Sequence, residues 1–433
     1  MAQASACFPC TVGERGWNDV VLPSPNLHIR DEMSNESASA TTGGHDDEQS
    51  PSWRSAVITG LVALAVSRLA VLVGAGVRSA QLVVDANKAE LSRPRTATAY
   101  ISEVLTSWDG RWYLELVRSG YPRVIPPDIT YDQLEARAAF FPLYPLLVRL
   151  VDAVAPGGDT LAALFTNVVL SVLAVVLVGL VARRWFDVAT ARRAMVLFAV
   201  FPGSFVLSFA YAEALLIVLA GGCLLALDQR RWWLAGVLAA LATAARPNGV
   251  ALVAACTVAA VVALRSRRQW SALIAVVLAP VGFVAFQWFL AHHTGERAAW
   301  FRVQREAWSE GTSFGGTAIS NTVKFLTNPL ASPTAALTAA TVVTMGVCLW
   351  ALWRRPLPGF ATAYVVAVLA LMLLPETVTA RPRFLFTAFP LAIAVAAWWP
   401  RGERSQWWGF MLVASGAGLA GLTALYGVFG AIP

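Results

Sequence analysis

Four short stretches of an otherwise apolar chain hold the residue types that could do chemistry. Asp109 stands in Ser107-Trp-Asp-Gly-Arg-Trp-Tyr113, and Glu213 in Tyr211-Ala-Glu-Ala-Leu215. Arg246 and Asn248 share Ala245-Arg-Pro-Asn-Gly249, while Arg381 and Arg383 follow Glu376 in the fourth stretch. A carboxylate within reach of a hydroxyl can take its proton. Arginine grips phosphate through charge-assisted, two-pronged hydrogen bonds. Acids and arginines gathered in one place therefore suit a base working beside a bound phosphate. The plainer alternative is an ion-pair network without chemistry, such as Asp109 with Arg111. Trp108, Trp112, Tyr113 and Tyr121 flank the acid, and Phe140-Phe-Pro-Leu-Tyr144-Pro follows. An interfacial aromatic belt explains Trp and Tyr by themselves but not an acid set among them. Aromatic faces also pack against the C–H surfaces of sugars.

The elements that must position these residues are membrane helices. The chain has 433 residues, 57% hydrophobic and 14% charged. A soluble domain carries about 25% charged residues, so a soluble enzyme, a disordered protein and a nucleic-acid binder are all excluded. Apolar stretches near the length that spans a bilayer recur along the chain. About eleven are expected, at 55–79, 160–182, 194–210, 212–227, 232–246, 248–264, 272–291, 335–353, 359–374, 384–399 and 407–430, with Pro202, Pro247 and Pro280 as helix breakers. The fold class is thus an all-α polytopic membrane protein. Residues 1–54 are polar, lack helical periodicity and read as a disordered tail; Met33 is a second candidate start.

Arginines occupy every second loop: Arg183, Arg184, Arg192 and Arg193; Arg230 and Arg231; Arg265, Arg267 and Arg268; Arg354 and Arg355; Arg401 and Arg404. The positive-inside bias places these loops and the tail in the cytoplasm. The long loops at about 80–159 and 292–334, with all four chemical stretches, then face outward. Trp300, Gln304 and Trp308 recur every four residues, as in a helix lying flat on the membrane surface. Cys7, Cys10, Cys223, Cys256 and Cys348 give no disulfide framework. His28, His45, His292 and His293 form no ligand set. No Walker, dinucleotide-binding or nucleophile-elbow motif occurs. No metal or other cofactor is expected; a divalent ion bridging acids to phosphate has no support in the sequence.

Trp108-Asp-x-x-Trp-Tyr113 with Gly120-Tyr121 and Phe140-Phe-Pro-Leu-Tyr-Pro145 resembles the first luminal loop of the GPI mannosyltransferase 2 (PIG-V-like) family. Pro202-Gly-Ser-Phe205 through Tyr211-x-Glu-Ala-Leu215 is similar to a second element of that family, and Arg246-Pro-Asn-Gly249 to its Arg-Ser-Asn-Gly turn. The resemblance covers roughly residues 55–400. It implies a GT-C type glycosyltransferase, a hexosyltransferase with mannose as the expected sugar, using a polyprenyl- or dolichyl-phosphate sugar on the extracytoplasmic face. In a bacterium the protein would sit in the plasma membrane, with a lipid, glycan or protein acceptor in place of the GPI anchor. Asp109 matches the essential acid of the first outer loop. Arg246, with Arg381 and Arg383, is expected to steady the leaving phosphate, and Glu213 to orient Arg246 or contact sugar hydroxyls. Trp108, Arg111, Trp112, Tyr113, Tyr144, Tyr211 and Asn248 complete the expected substrate site. A lipid-linked sugar transporter without transfer chemistry is the alternative.

Overall fold

The computed structural model describes residues 51–88, 97–330, 332–399 and 405–426. The expected tail lies outside these residues up to residue 50, and Trp53 and Arg54 already open the first helix, Trp53–Lys88. Arg401, Arg404, Cys7 and Cys10 also lie outside them.

Helix dominates the described residues, and the one bridge outside it pairs Thr312 with Pro375. Among the described residues, six helices are long and apolar enough to cross a membrane: Trp53–Asp85, Gly158–Trp185, Pro247–Arg267, Trp270–Thr294, Pro333–Arg354 and Gln406–Tyr426. The chain is a multi-pass integral membrane protein. The other five expected spans are helical but short or broken. Glu213–Asp228, Trp232–Ala245 and Gly359–Leu373 have 16, 14 and 15 residues, and about 20 are needed to span the hydrocarbon. The 194–210 span divides at Pro202 into Val188–Val200 and the 3-10 turn Pro202–Leu207. The 384–399 span divides into Pro382–Thr387 and Pro390–Trp398. Each of these prolines lacks an N–H and starts a new helical segment. Pro247 and Pro280 do the same, before Asn248 and before Val281–Thr294.

The long loops are themselves helical. The first contains Asp109–Ser119 and Leu143–Asp152, the second Ala299–Ala307 and Gly316–Thr327. Ala299–Ala307 does not lie free on a surface. Trp300 donates its indole N–H to the Ala139 carbonyl at 2.9 Å, and Trp308 packs on Trp112, Tyr131 and Phe140. The two loops thus fold onto each other through a second apolar core.

Small residues let the bundle close. A Cβ at Gly74 would collide with the Ala420 carbonyl and Thr423, so glycine there lets the first helix lie against the last. A Cβ at Gly203 would strike the Pro382 backbone, so the Pro202–Leu207 turn nests against the start of Pro382–Thr387. Arg68, midway along the first helix, anchors the same turn. It donates to the Ser204 carbonyl at 2.8 Å, to Ser204 Oγ at 2.8 Å and to Ser208 Oγ at 3.1 Å. Arg68→Met would leave the Ser204 carbonyl buried without this donor, an omission worth roughly 1–3 kcal/mol. Thermal unfolding in detergent should show a lower Tm.

Antiparallel pairing sorts the charges by end. Glu213–Asp228 runs one way and Trp232–Ala245 returns, so Glu213 and Arg246 meet at one end. Arg184 pairs with Asp228 at 2.6 Å at the other. Arg230 and Arg231 follow Asp228 at that second end.

Candidate active site

Five chain segments converge at the first end. Asp109 is the first residue of Asp109–Ser119. Glu213 begins its helix, Arg246 ends Trp232–Ala245, Arg383 lies in Pro382–Thr387, and Tyr426 ends Gln406–Tyr426. No segment supplies more than one charged member, which is why the site exists only in the folded chain.

The charges form a chain of contacts. Arg383 Nη1 donates to Asp109 Oδ2 at 3.0 Å. Arg246 Nη2 stands 3.5 Å from the same oxygen, and its Nη1 stands 2.6 Å from Glu213 Oε2. This last pair is close in charge but misaligned for a hydrogen bond, so both Glu213 oxygens and Arg246 Nη1 are buried without a hydrogen-bond partner among the described residues. Arg383 Nε is likewise buried and unmet. Side-chain exposure is 0% for Glu213 and 16% for Asp109, so the acid with solvent access is Asp109. Buried charges persist only when paired, yet this network, beside an accessible carboxylate, keeps arginine donors without a hydrogen-bond partner among the described residues. Such donors suit an incoming anion.

Asp109 is aimed by an unusual backbone. Trp108 adopts φ 55°, ψ −118°, a region that costs a non-glycine residue on the order of 1–3 kcal/mol. Its indole N–H donates to the Tyr426 carbonyl at 2.6 Å, and the two rings meet edge to face at 6.2 Å. Tyr211 O–H donates to the Ser107 carbonyl at 3.1 Å, one residue earlier. Asn167 donates to the carbonyls of Phe209 and Tyr211, which holds the loop leading to Glu213.

The remaining expected residues divide. Tyr113 and Tyr144 pack together at 4.9 Å beneath the cluster; burial, ahead of the opposing Arg246, raises the Tyr113 phenol above its ordinary range and keeps it neutral. Trp112 is fully buried among Phe140, Tyr131 and Trp308, so it is core rather than an open sugar platform. Arg111 is exposed and lies over the Trp112 ring at 4.9 Å; the ion pairs of Asp109 are with Arg383 and Arg246. Arg381 is buried and donates to Thr338 Oγ1 at 2.6 Å. Asn248 is half-buried in the turn after Arg246. Arg68, Asn167 and Tyr426 escaped the sequence reading. A lone Arg or Asn inside an apolar span is itself a signal and could have exposed the first two. Nothing local marks Tyr426.

The family model for glycosyltransferase family 87 matches residues 139–375, more than half of the chain. The chain belongs to glycosyltransferase family 87. Membership of family 87, rather than of the GPI mannosyltransferase 2 family its motifs resemble, is what the comparison gives. The match includes Glu213 and Arg246, while Asp109 and Arg383 lie on either side of it. Comparison with curated proteins finds no match. Among solved structures the chain is similar to ArnT from Cupriavidus metallidurans bound to undecaprenyl phosphate, with 18% identity and a TM-score of 0.47 over 70% of this chain and 56% of that one. It is also similar to the archaeal oligosaccharyltransferase AglB from Archaeoglobus fulgidus in complex with an inhibitory peptide and a dolichol-phosphate. There the identity is 14% and the TM-score 0.33, over 73% and 51% of the two chains. The chain thus spans little more than half the length of these proteins.

Proposed function

We propose that this family 87 glycosyltransferase is of the GT-C type and moves a hexose from a polyprenyl-phosphate donor to a hydroxyl on a lipid, glycan or protein acceptor. The observation that carries the reading is the double face of the Pro382–Thr387 helix. Arg383 turns toward Asp109, while Pro382, Leu385 and Phe386 line an apolar groove of about 710 Å³. Its lining on Pro333–Arg354 runs from Leu337 to Cys348, about 17 Å at 1.5 Å per residue. A charged phosphate with a long hydrocarbon tail suits a cationic cluster and an apolar groove that share the Pro382–Thr387 helix. A water-soluble nucleotide sugar leaves the groove without purpose.

In the reaction, the donor phosphate competes with Asp109 for Arg383 and Arg246, freeing the carboxylate oxygen. Asp109 then takes the proton of the acceptor hydroxyl as its oxygen attacks the anomeric carbon. The bond to the phosphate breaks, its electron pair leaves with the lipid phosphate, and the anomeric configuration inverts. Arginine donors fixed in place before the charge develops contribute several kcal/mol of stabilisation. Glu213 holds Arg246 in position. Mannose is the sugar favoured by the motif resemblance. Transport without chemistry is the weaker reading, because membership of a glycosyltransferase family goes with group transfer.

Offered both a polyprenyl-phosphate hexose and a nucleotide hexose, the purified protein should consume only the former; use of the nucleotide sugar would refute the donor class. The eleven-span topology with an extracytoplasmic site is tested separately. Thr130 and Ser266 are both exposed. Membrane-impermeant thiol reagent added to intact cells should label Thr130→Cys and spare Ser266→Cys. The reverse pattern would move the site to the cytoplasm.

A further inference from the structure

We propose that the end of the last helix, at Tyr426, is the positioning element of the acid. The inference rests on the transfer reading above and goes beyond it, since Tyr426 touches no reacting group. Three contacts converge on this residue. Its carbonyl accepts the Trp108 indole N–H at 2.6 Å, across more than 300 residues of sequence. Its ring lies 6.0 Å from the Arg383 guanidinium, on the cation's side of the Asp109 pair. The same ring packs on Phe205, Phe209 and Tyr211 at 4.5, 5.5 and 6.2 Å, and Tyr211 in turn holds the Ser107 carbonyl. Tyr426 therefore meets both partners of the ion pair, the acid through Trp108 and the cation directly.

The backbone explains why such a latch is needed. Trp108 sits at φ 55° immediately before Asp109, a conformation that tryptophan leaves readily unless its side chain is tethered. The indole-to-carbonyl bond is such a tether. When it is released, Trp108 can relax to a negative φ, the first turn of Asp109–Ser119 rotates, and the carboxylate swings away from Arg383. The close packing of the last helix on the first at Gly74 and Ala420 brings the tether to its place. The helix Gln406–Tyr426 thus positions the acid as well as closing the bundle.

The test measures kcat and KM for polyprenyl-phosphate mannose, with membrane-lipid acceptor, on the reconstituted full chain. Trp108→Phe removes the tether's N–H and keeps an aromatic ring. Because misplacement of a reacting group by about 1 Å costs up to a hundredfold, kcat should fall roughly tenfold to a hundredfold. The donor KM should stay within about twofold, since the arginines remain. Tyr426→Ala keeps the carbonyl but loses the ring on Arg383 and Tyr211 and should lose turnover similarly, and Tyr426→Phe, which keeps the ring as well, should restore it. Melting in detergent establishes the folded fraction, to which each rate is normalised. Unchanged kcat in Trp108→Phe, losses accounted for entirely by unfolding, or Tyr426→Phe failing as badly as Tyr426→Ala would each overturn the latch alone. A wild type that transfers nothing would overturn the transfer reading, and the latch with it.

Discussion

Asp109→Asn is expected to abolish hexose transfer while leaving insertion and folding intact. The amide has the volume of the carboxylate, so Trp108 and the start of Asp109–Ser119 keep their geometry. It retains an oxygen that can accept from Arg383 Nη1, now at 3.0 Å from Asp109 Oδ2. What it loses is the capacity to take a proton from the acceptor hydroxyl. Loss of general-base catalysis costs about 10²- to 10⁴-fold. Were Asp109 only an ion-pair partner, the neutral isostere would weaken the cluster and leave turnover nearly unchanged. Steady-state transfer by Asp109→Asn at the wild-type rate would therefore sink the assignment. Glu213, fully buried and shared with Arg246, would then have to be reconsidered as the base.

Arg383→Lys is expected to cost about 10²- to 10³-fold in kcat, the range seen when one preorganised donor is removed from a site of developing negative charge. Charge is retained in this variant, so the loss isolates geometry. Lysine offers a point charge on a flexible stem, whereas the guanidinium can hold Asp109 with one nitrogen and present another to phosphate. Arg383 Nε is buried and meets no acceptor among the described residues, which makes it the donor in waiting. The ring contacts at 4.7 Å with Phe384 and 6.0 Å with Tyr426 fix the plane of the group; an ammonium has no plane to fix. A kcat within threefold of wild type would show that Arg383 serves Asp109 alone and not the leaving group.

Much of the charged cluster was legible because an apolar sequence makes charges conspicuous. Asp109, Glu213, Arg246 and Arg383 stood out singly, and their convergence followed from alternating helix direction. The roles of their neighbours were not legible. Trp112 and Arg111 flank the acid in sequence, yet one turn of helix sends Trp112 into the core with Trp308 and leaves Arg111 exposed. Arg381 and Arg383 are two residues apart, and that spacing points one to Thr338 and the other to Asp109. The partner of Trp108 is Tyr426, 318 residues away, a pairing that no local pattern encodes. The eleven-span count is less legible for a different reason. Apolar runs locate helices, but prolines at 202, 382 and 390 interrupt two of them and three others have 16, 14 and 15 residues, neither of which hydropathy registers.

The most direct test of the account follows the donor rather than the rate. Wild-type protein in proteoliposomes is given polyprenyl-phosphate mannose labelled in the sugar, with and without a hydroxyl-bearing membrane-lipid acceptor, and both products are quantified. Free polyprenyl phosphate should appear one for one with labelled acceptor, only when acceptor is present, with the new linkage of inverted anomeric configuration. Labelled sugar that crosses the bilayer still attached to its polyprenyl phosphate, with no glycosylated acceptor formed, would contradict it.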